Sequence, residues 1–163
     1  MKLNDCVTCH SSSLTEKSAL EGKGIYPVYG ASGIFAHSPF YMVESDSVLI
    51  IKDGSNVGKL QYALGKHSTI GTLNYLLPQE GVDLKYIYYY LQTFNFDLYK
   101  VGSGIPHIYF KDYGNEYIYC PNIDEQRRIS DALSKIDNKI ALEKELLTYF
   151  FMQKKFLLQN IFI

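Results

Sequence analysis

The last 42 residues of this 163-residue chain, 122–163, contain neither glycine nor proline. Those two residues are the strongest helix breakers, so their absence over such a stretch predicts one continuous helix. A start signal stands at Pro121-Asn122-Ile123-Asp124-Glu125. Asn122 can accept from the backbone N–H three residues on, and Glu125 can reach back to complete a capping box. Asp124 and Glu125 also suit the positive end of the helix dipole. Spacings of four and three then alternate through Ile129, Leu133, Ile136, Ile140, Glu143, Leu147, Phe150, Lys154, Leu157 and Ile161. Eight of these ten positions are apolar, the pattern of a sustained coiled-coil seam. A rod over 123–162 would be about 60 Å long. It is too long to bury its whole seam against the preceding 121 residues, so a second helix is expected alongside. The alternative is an amphipathic helix folded back on its own domain. Glu143 and Lys154 interrupt the seam, and in an antiparallel pair they could approach opposite charges that set register.

The composition changes where the rod begins. All 12 glycines, all 5 prolines, all 4 histidines, all 3 cysteines and 14 of the 15 tyrosines lie at or before Pro121. Two parts follow, a turn-rich domain at 1–121 and a helix at 122–163. The first carries nine lysines, no arginine and eleven acids, a net of −2; the second has a net of +1. The whole chain, at −1, is not a generic polyanion clamp, so any nucleic-acid binding requires locally placed charge. No apolar run approaches the roughly 18 residues that span a bilayer, and no membrane partner is expected. The opening Met1-Lys2-Leu3-Asn4-Asp5-Cys6 lacks a signal peptide's apolar stretch, so the expected compartment is the cytoplasm.

Within the first part, residues 25–29 and 47–52 read as strands. Asp53-Gly54-Ser55-Asn56-Val57-Gly58 is a turn, and 59–64 pairs back as a hairpin. Residues 73–77 form another strand, ended by Pro78. Asp83 caps a helix running through Tyr86, Ile87, Tyr90, Leu91 and Phe94. Residues 102–107 are a loop, and 116–120 a last strand leading into the rod. The expected fold class is α+β: a curved, mostly antiparallel sheet domain with short helices, followed by one long C-terminal coiled-coil helix.

Short chemical motifs are weak. Cys6-Val7-Thr8-Cys9-His10 matches the pattern for covalent haem attachment, but that chemistry needs an exported chain and an axial ligand. Cys6, Cys9, His10 and Cys120 have the ligand types for zinc without a second cysteine pair; free thiols are the plainer reading. No metal site is assigned, and a Cys/His metal or redox protein stands as the third reading. Gly54-Ser55-Asn56-Val57-Gly58-Lys59-Leu60 half resembles a phosphate-binding loop, but Leu60 replaces the magnesium-holding hydroxyl. Glu80 and Asp83-Leu84-Lys85 faintly resemble a nuclease centre, yet Asp83 is needed as a cap. No nucleophile–base pair stands out, including Ser103 and His107, so no catalytic residue is assigned.

Turn residues remain. Lys52, Lys59, Lys66, Lys100 and Lys111 can contact phosphates. Ser32, Ser55, Asn56, His67, Thr69, Thr72 and Asn74 can read base edges, with Ser103 and His107 in the later loop. Tyr29, Tyr62 and Tyr109 can pack on sugars. Each has a plainer role in its own turn or in solvent.

Several segments carry a resemblance to the specificity subunits of type I restriction-modification systems. Lys2-Leu3-Asn4-Asp5 resembles the lysine-leucine-glycine-aspartate opening of such domains, with Asn4 in place of glycine. Tyr26-Pro27-Val28-Tyr29-Gly30-Ala31-Ser32-Gly33 and Ile51-Lys52-Asp53-Gly54-Ser55-Asn56-Val57-Gly58-Lys59 resemble two further family elements. Gly102-Ser103-Gly104-Ile105-Pro106-His107-Ile108 resembles a third. Pro121-Asn122-Ile123-Asp124-Glu125-Gln126-Arg127-Arg128-Ile129 resembles the start of the family's conserved helix. Gln153 to Phe162 resembles its end, with Phe156 where glycine is common.

The resemblance implies a half-length form with one target-recognition domain and one spacer helix. It implies a non-catalytic subunit that reads a half-site in double-stranded DNA and forms a homodimer through the helix. Such a dimer would read a bipartite site, as protein two-fold symmetry maps onto the DNA. It also implies recruitment of a methyltransferase subunit, and of a restriction subunit where one exists. The chain itself would need no cofactor; S-adenosylmethionine, ATP and magnesium would belong to those partners. A non-enzymatic coiled-coil adaptor without DNA specificity is the alternative.

The seam generates the first prediction. Ile140→Asp places an unpaired carboxylate in it, and burying a charge without a partner is strongly unfavourable. The variant is expected to sediment as a monomer where the wild type is a dimer; an unchanged dimer would exclude this interface.

Overall fold

The computed structural model describes residues 1–161; the expected rod end at Phe162 lies outside them. The chain runs α1 (Leu3–Cys6), β1 (Val7–Ser11), α2 (Glu16–Glu21), β2 (Tyr26–Gly30), β3 (Gly33–Ser38), β4 (Ser47–Ile51), β5 (Leu60–Ala63), β6 (Ser68–Thr69), β7 (Leu73–Pro78) and α3 (Leu84–Leu91). A 3₁₀ turn (Phe96–Tyr99), α4 (Phe110–Tyr113) and α5 (Ile123–Ile161) complete it. The fold is α+β. No helix among the described residues is long and apolar enough to cross a membrane.

Strand β4 organises the globular part. Its five residues, Ser47-Val48-Leu49-Ile50-Ile51, are all buried, because apolar side chains stand on both faces of the pleat. Val48 and Ile50 enter a core with Leu76, Ile87, Leu91 and Tyr113. Leu49 and Ile51 enter a second core with Val28, Ala63, Ile70 and Leu73. The antiparallel sheet β1-β7-β4-β5 therefore has helices against one face and the smaller sheet β3-β2-β6 against the other.

The expected hairpin is present, with Ser47 opposite Ala63 and Ile50 opposite Leu60. Asp83 caps α3 by accepting from the Tyr86 N–H at 2.7 Å. That helix stops at Leu91 rather than continuing through Phe94. The chain turns at Gln92, and Asn95 Oδ1 then accepts from the Asp97 N–H to start the 3₁₀ turn. The expected strand at 116–120 is reduced to a single bridge between Lys2 and Tyr117. It runs beside the short segment at the chain's start, which curls into α1 and so ends the ladder. Strands β1 and β3 were not anticipated: β1 lies along β7, Val7 opposite Pro78, and β3 folds back on β2.

The rod starts where expected. Asn122 Oδ1 accepts from the Glu125 N–H at 3.0 Å. The next residue, Gln126, is buried and makes the main junction. Its Oε1 accepts from the Asp83 N–H at 2.8 Å, and its Nε2 donates to Pro121 O at 2.7 Å and Gly81 O at 3.3 Å. Of the seam, Ile129 packs on the first core and Leu133 is half-buried. Ile136, Ile140, Leu147, Phe150, Leu157 and Ile161 are exposed along the described rod.

Gln126→Ala leaves three backbone groups without this partner and should cost about 2–4 kcal/mol, measured by urea unfolding. Gln126→Glu keeps the shape and the acceptor but cannot donate when ionised. Its loss should shrink as the solution is acidified and the carboxyl regains a proton.

Candidate nucleic-acid interface

Three loops from distant parts of the chain converge. The β2–β3 hairpin turns through Ala31 and Ser32. Its end is tied to the larger sheet because Gln61 Nε2 donates to Gly30 O at 2.7 Å. The β4–β5 turn buries Val57 in the first core, which leaves Ser55 and half-buried Asn56 at its outer side. The third loop, 101–107, closes on itself through paired bonds between Val101 and His107. It docks on the β4–β5 turn: Gly54 N–H donates to Pro106 O at 3.0 Å, and His107 Nδ1 lies 2.6 Å from Asp53 Oδ1. Ile108 N–H also donates to Lys52 O at 3.0 Å.

Between the first two loops lies a cleft lined by Ser32, Asp53, Ser55, Asn56, Thr72 and Glu16. Lys52 N–H donates to Thr72 O, which holds the β6–β7 connection at this edge. Lys59 borders an adjoining hollow with Ser32 and Gln61. The cleft thus carries the hydroxyls of Ser32 and Ser55, the Asn56 amide and two carboxylates, while lysine stands at its rim; Thr72 lines the wall, but its hydroxyl is buried, which corrects its expected place on a reading surface. Carboxylates repel phosphate but accept from the amino group of cytosine, and hydroxyls and amides serve other base edges. Lysine at the rim suits the backbone. Asp53 and Glu16 were not among the expected contacts: Asp53 lies in a turn that the sequence displays, whereas Glu16 opens α2, a helix the sequence reading does not contain.

The other expected residues fall elsewhere. Lys100 pairs with Asp97 beside the third loop, whose Ser103 is exposed. Lys111 lies over the Tyr109 ring at 5.3 Å. Lys66 stands over Tyr41 at 4.6 Å and 3.6 Å from Glu44, at the other end of the β2–β6 pair from Ser32. Tyr29 is half-buried with its ring edge-on to His67. His67, Thr69 and Asn74 are buried, which corrects their expected place on a reading surface. His67 Nδ1 lies 2.7 Å from Gly65 O and Nε2 lies 2.8 Å from Ser47 Oγ. A carbonyl only accepts, so the proton sits on Nδ1. Burial holds the imidazole below its ordinary pKa and keeps it neutral.

The cysteines do not gather with His10. Cys6 is buried at the end of α1, and burial with neighbouring Cys120 pushes its thiol up to about 12. Burial pushes Cys9 up to about 12 as well. Both are protonated at neutral pH, which disfavours nucleophilic or metal-binding roles. His10 is exposed and stacks on Tyr75. Among the described residues no three metal-ligating side chains come together.

Residues 1–148 match the family model for the type I restriction modification DNA specificity domain. The type I restriction enzyme MjaVIII specificity subunit of Methanocaldococcus jannaschii is 30% identical over 125 residues, covering 74% of this chain and 29% of that protein. A putative type I restriction enzyme specificity subunit of Haemophilus influenzae, S.HindORF215P, is 31% identical over 90 residues, 53% of this chain and 23% of that protein. A similar fold occurs in the S subunit of a type I restriction-modification system from M. genitalium, with TM-score 0.73, 19% identity, and 95% of this chain against 42% of that one. The HsdS subunit from Thermoanaerobacter tengcongensis gives TM-score 0.64, 23% identity, and coverage of 90% and 39%. The chain spans less than half the length of each of these relatives.

The β4–β5 turn generates a prediction. Gly54 and Gly58 both have positive φ, +99° and +87°. A Cβ at position 54 meets nothing within 4 Å, whereas one at 58 comes within 2.6 Å of Phe96 Cβ. Gly54→Ala should cost only the left-handed strain, about 1–2 kcal/mol. Gly58→Ala should cost distinctly more in urea unfolding; equal losses would show that the Phe96 contact relaxes freely.

Proposed function

This chain belongs to the type I restriction modification DNA specificity family, and from that premise we propose that its three converging loops read a half-site in double-stranded DNA. The observation that carries the proposal is the loop cluster itself. Ser32, Ser55 and Asn56 meet at one cleft, with Lys59 at its rim. Ser103 and His107 extend the surface through the docked third loop, with Lys100 beside it. Bases are read at the cleft, and phosphates are held at its border.

The chain is a reader, not a catalyst. It recruits a methyltransferase subunit, and a restriction subunit where one is present. S-adenosylmethionine, ATP and magnesium belong to those partners. The exposed apolar row from Ile136 to Ile161 pairs with the same row of a second copy, giving a homodimer with two reading surfaces. A two-fold dimer of this kind reads a bipartite palindromic site. With a globular part of net −2, the isolated chain binds DNA weakly, and firm binding needs the partner subunits.

The test is methylation mapping after reconstitution with the methyltransferase subunit. Methylation at one bipartite sequence supports the reading; methylation without sequence preference overturns it. A dimer that leaves DNA mobility unchanged in the reconstituted complex would favour the adaptor alternative. Within the reading surface, Lys59→Ala should weaken all sequences alike and lower the salt dependence. Asn56→Ala should instead relax preference at one position, by about 1–3 kcal/mol of discrimination. Equal, sequence-independent losses would move Asn56 to the phosphate-contacting group.

A further inference from the structure

Beyond its first turns, α5 is a cantilever. Gln126 and Ser130 are buried and Ile129 packs on the core, but every described side chain from 135 to 161 is exposed. Gln126 fixes where the rod begins. The packed residues, from Gln126 to half-buried Leu133, span about 10 Å, a short base from which to hold the direction of a rod several times longer.

A second point of attachment lies three turns further on. Tyr89, on α3, directs its hydroxyl across to the rod, where it donates to Asp137 Oδ2 at 2.7 Å and lies 3.2 Å from Ser134 Oγ. Asp137 and Ser134 are neighbours on one helix face, three residues apart. The ring is held from the other side: it packs edge-on to Tyr88 at 5.4 Å, and Tyr88 packs edge-on to Tyr62 of β5. The tyrosine is thus braced against the sheet that carries the β4–β5 reading turn.

Leverage gives this contact its importance. At 1.5 Å per residue, Gln126 to Asp137 is about 16 Å and Gln126 to Ile161 about 52 Å. A slack of about 1 Å at Asp137 therefore becomes about 3 Å at the far end. That is close to the 3.4 Å rise of one base pair, so a loose contact here would blur the distance between two reading surfaces by one step of DNA.

We propose that Tyr89, through Asp137 and Ser134, is a positioning residue that fixes the rod's angle and so the number of base pairs between two half-sites. The spacing role rests on the DNA-reading function proposed above; the angular role does not.

The test uses the full chain, with donor and acceptor fluorophores on non-canonical residues at positions 17 and 155. Doubly labelled chain is mixed with excess unlabelled chain, so that each dimer reports one intramolecular distance. Wild type should give one narrow distribution. Tyr89→Phe and Asp137→Ala should each widen it by about 3 Å or more, and Asp137→Asn, whose amide oxygen still accepts the hydroxyl proton, should restore it. Asp137 is exposed, so its variants keep the measurement interpretable if Tyr89→Phe folds poorly. The same proteins, reconstituted with the methyltransferase subunit, are given DNA carrying two half-sites at varied separation. Wild type should methylate one separation, and Tyr89→Phe and Asp137→Ala should accept separations about one base pair either side. An unchanged distance distribution in Asp137→Ala would overturn the angular role. A widened distribution with unchanged spacing preference would overturn the spacing role. Absence of sequence preference in the wild type would overturn the DNA-reading function, and the spacing role with it, while the distance data would still decide the angular role.

Discussion

The buried amide of Gln126 joins the two parts of this molecule. Its oxygen takes the N–H of Asp83, the residue that caps α3, and its nitrogen serves the carbonyls of Pro121 and Gly81. One side chain therefore satisfies backbone groups at the start of α3, in the loop before it, and at the entry to the rod. An amide can do this because it both donates and accepts, and it must do so here because an unpaired polar group in the interior is costly. That bond set anchors the start of a helix that is exposed from residue 135 onward to a small α+β body.

The body has its own organising element in β4. A strand apolar on both faces needs cover on both, and the chain supplies helices on one side and a second sheet on the other. The β2–β3 and β4–β5 hairpins then end side by side, and Gln61 ties them together. The third loop is drawn to the same end by His107 and Pro106. Three motifs far apart in sequence become one surface because the layers beneath them are fixed. A near-neutral chain can read DNA on such a surface, since selectivity comes from a few placed groups rather than from total charge.

Residues that look alike in sequence separate in the structure. Asn56 and Asn74 are both polar amides near strands. Asn56 lies in a turn at the cleft, whereas Asn74 faces inward on β7 opposite Ile50. Lys59 and Lys66 flank the same strand, β5, yet one borders the cleft and the other is engaged by Tyr41 and Glu44. His67 looked like a base-reading group and is instead a neutral internal bracket between Gly65 and Ser47. The segment at 116–120 had strand-like residues but found too little partner strand to form a ladder.

Local chemistry alone determined the long helix, its Asn122 cap, the β4–β5 hairpin and the Asp83 cap. Each depends on residues within a few positions of one another, which a sequence displays directly. The family likeness was also legible, because its segments keep their order along the chain. Tertiary structure alone decided which polar side chains reach the surface, that Asp53 and Glu16 share a cleft with Ser32, and that Tyr89 braces the rod 48 residues away. Those outcomes depend on which faces of β4 and α3 are covered by distant segments. No window of sequence contains both the covered face and its cover.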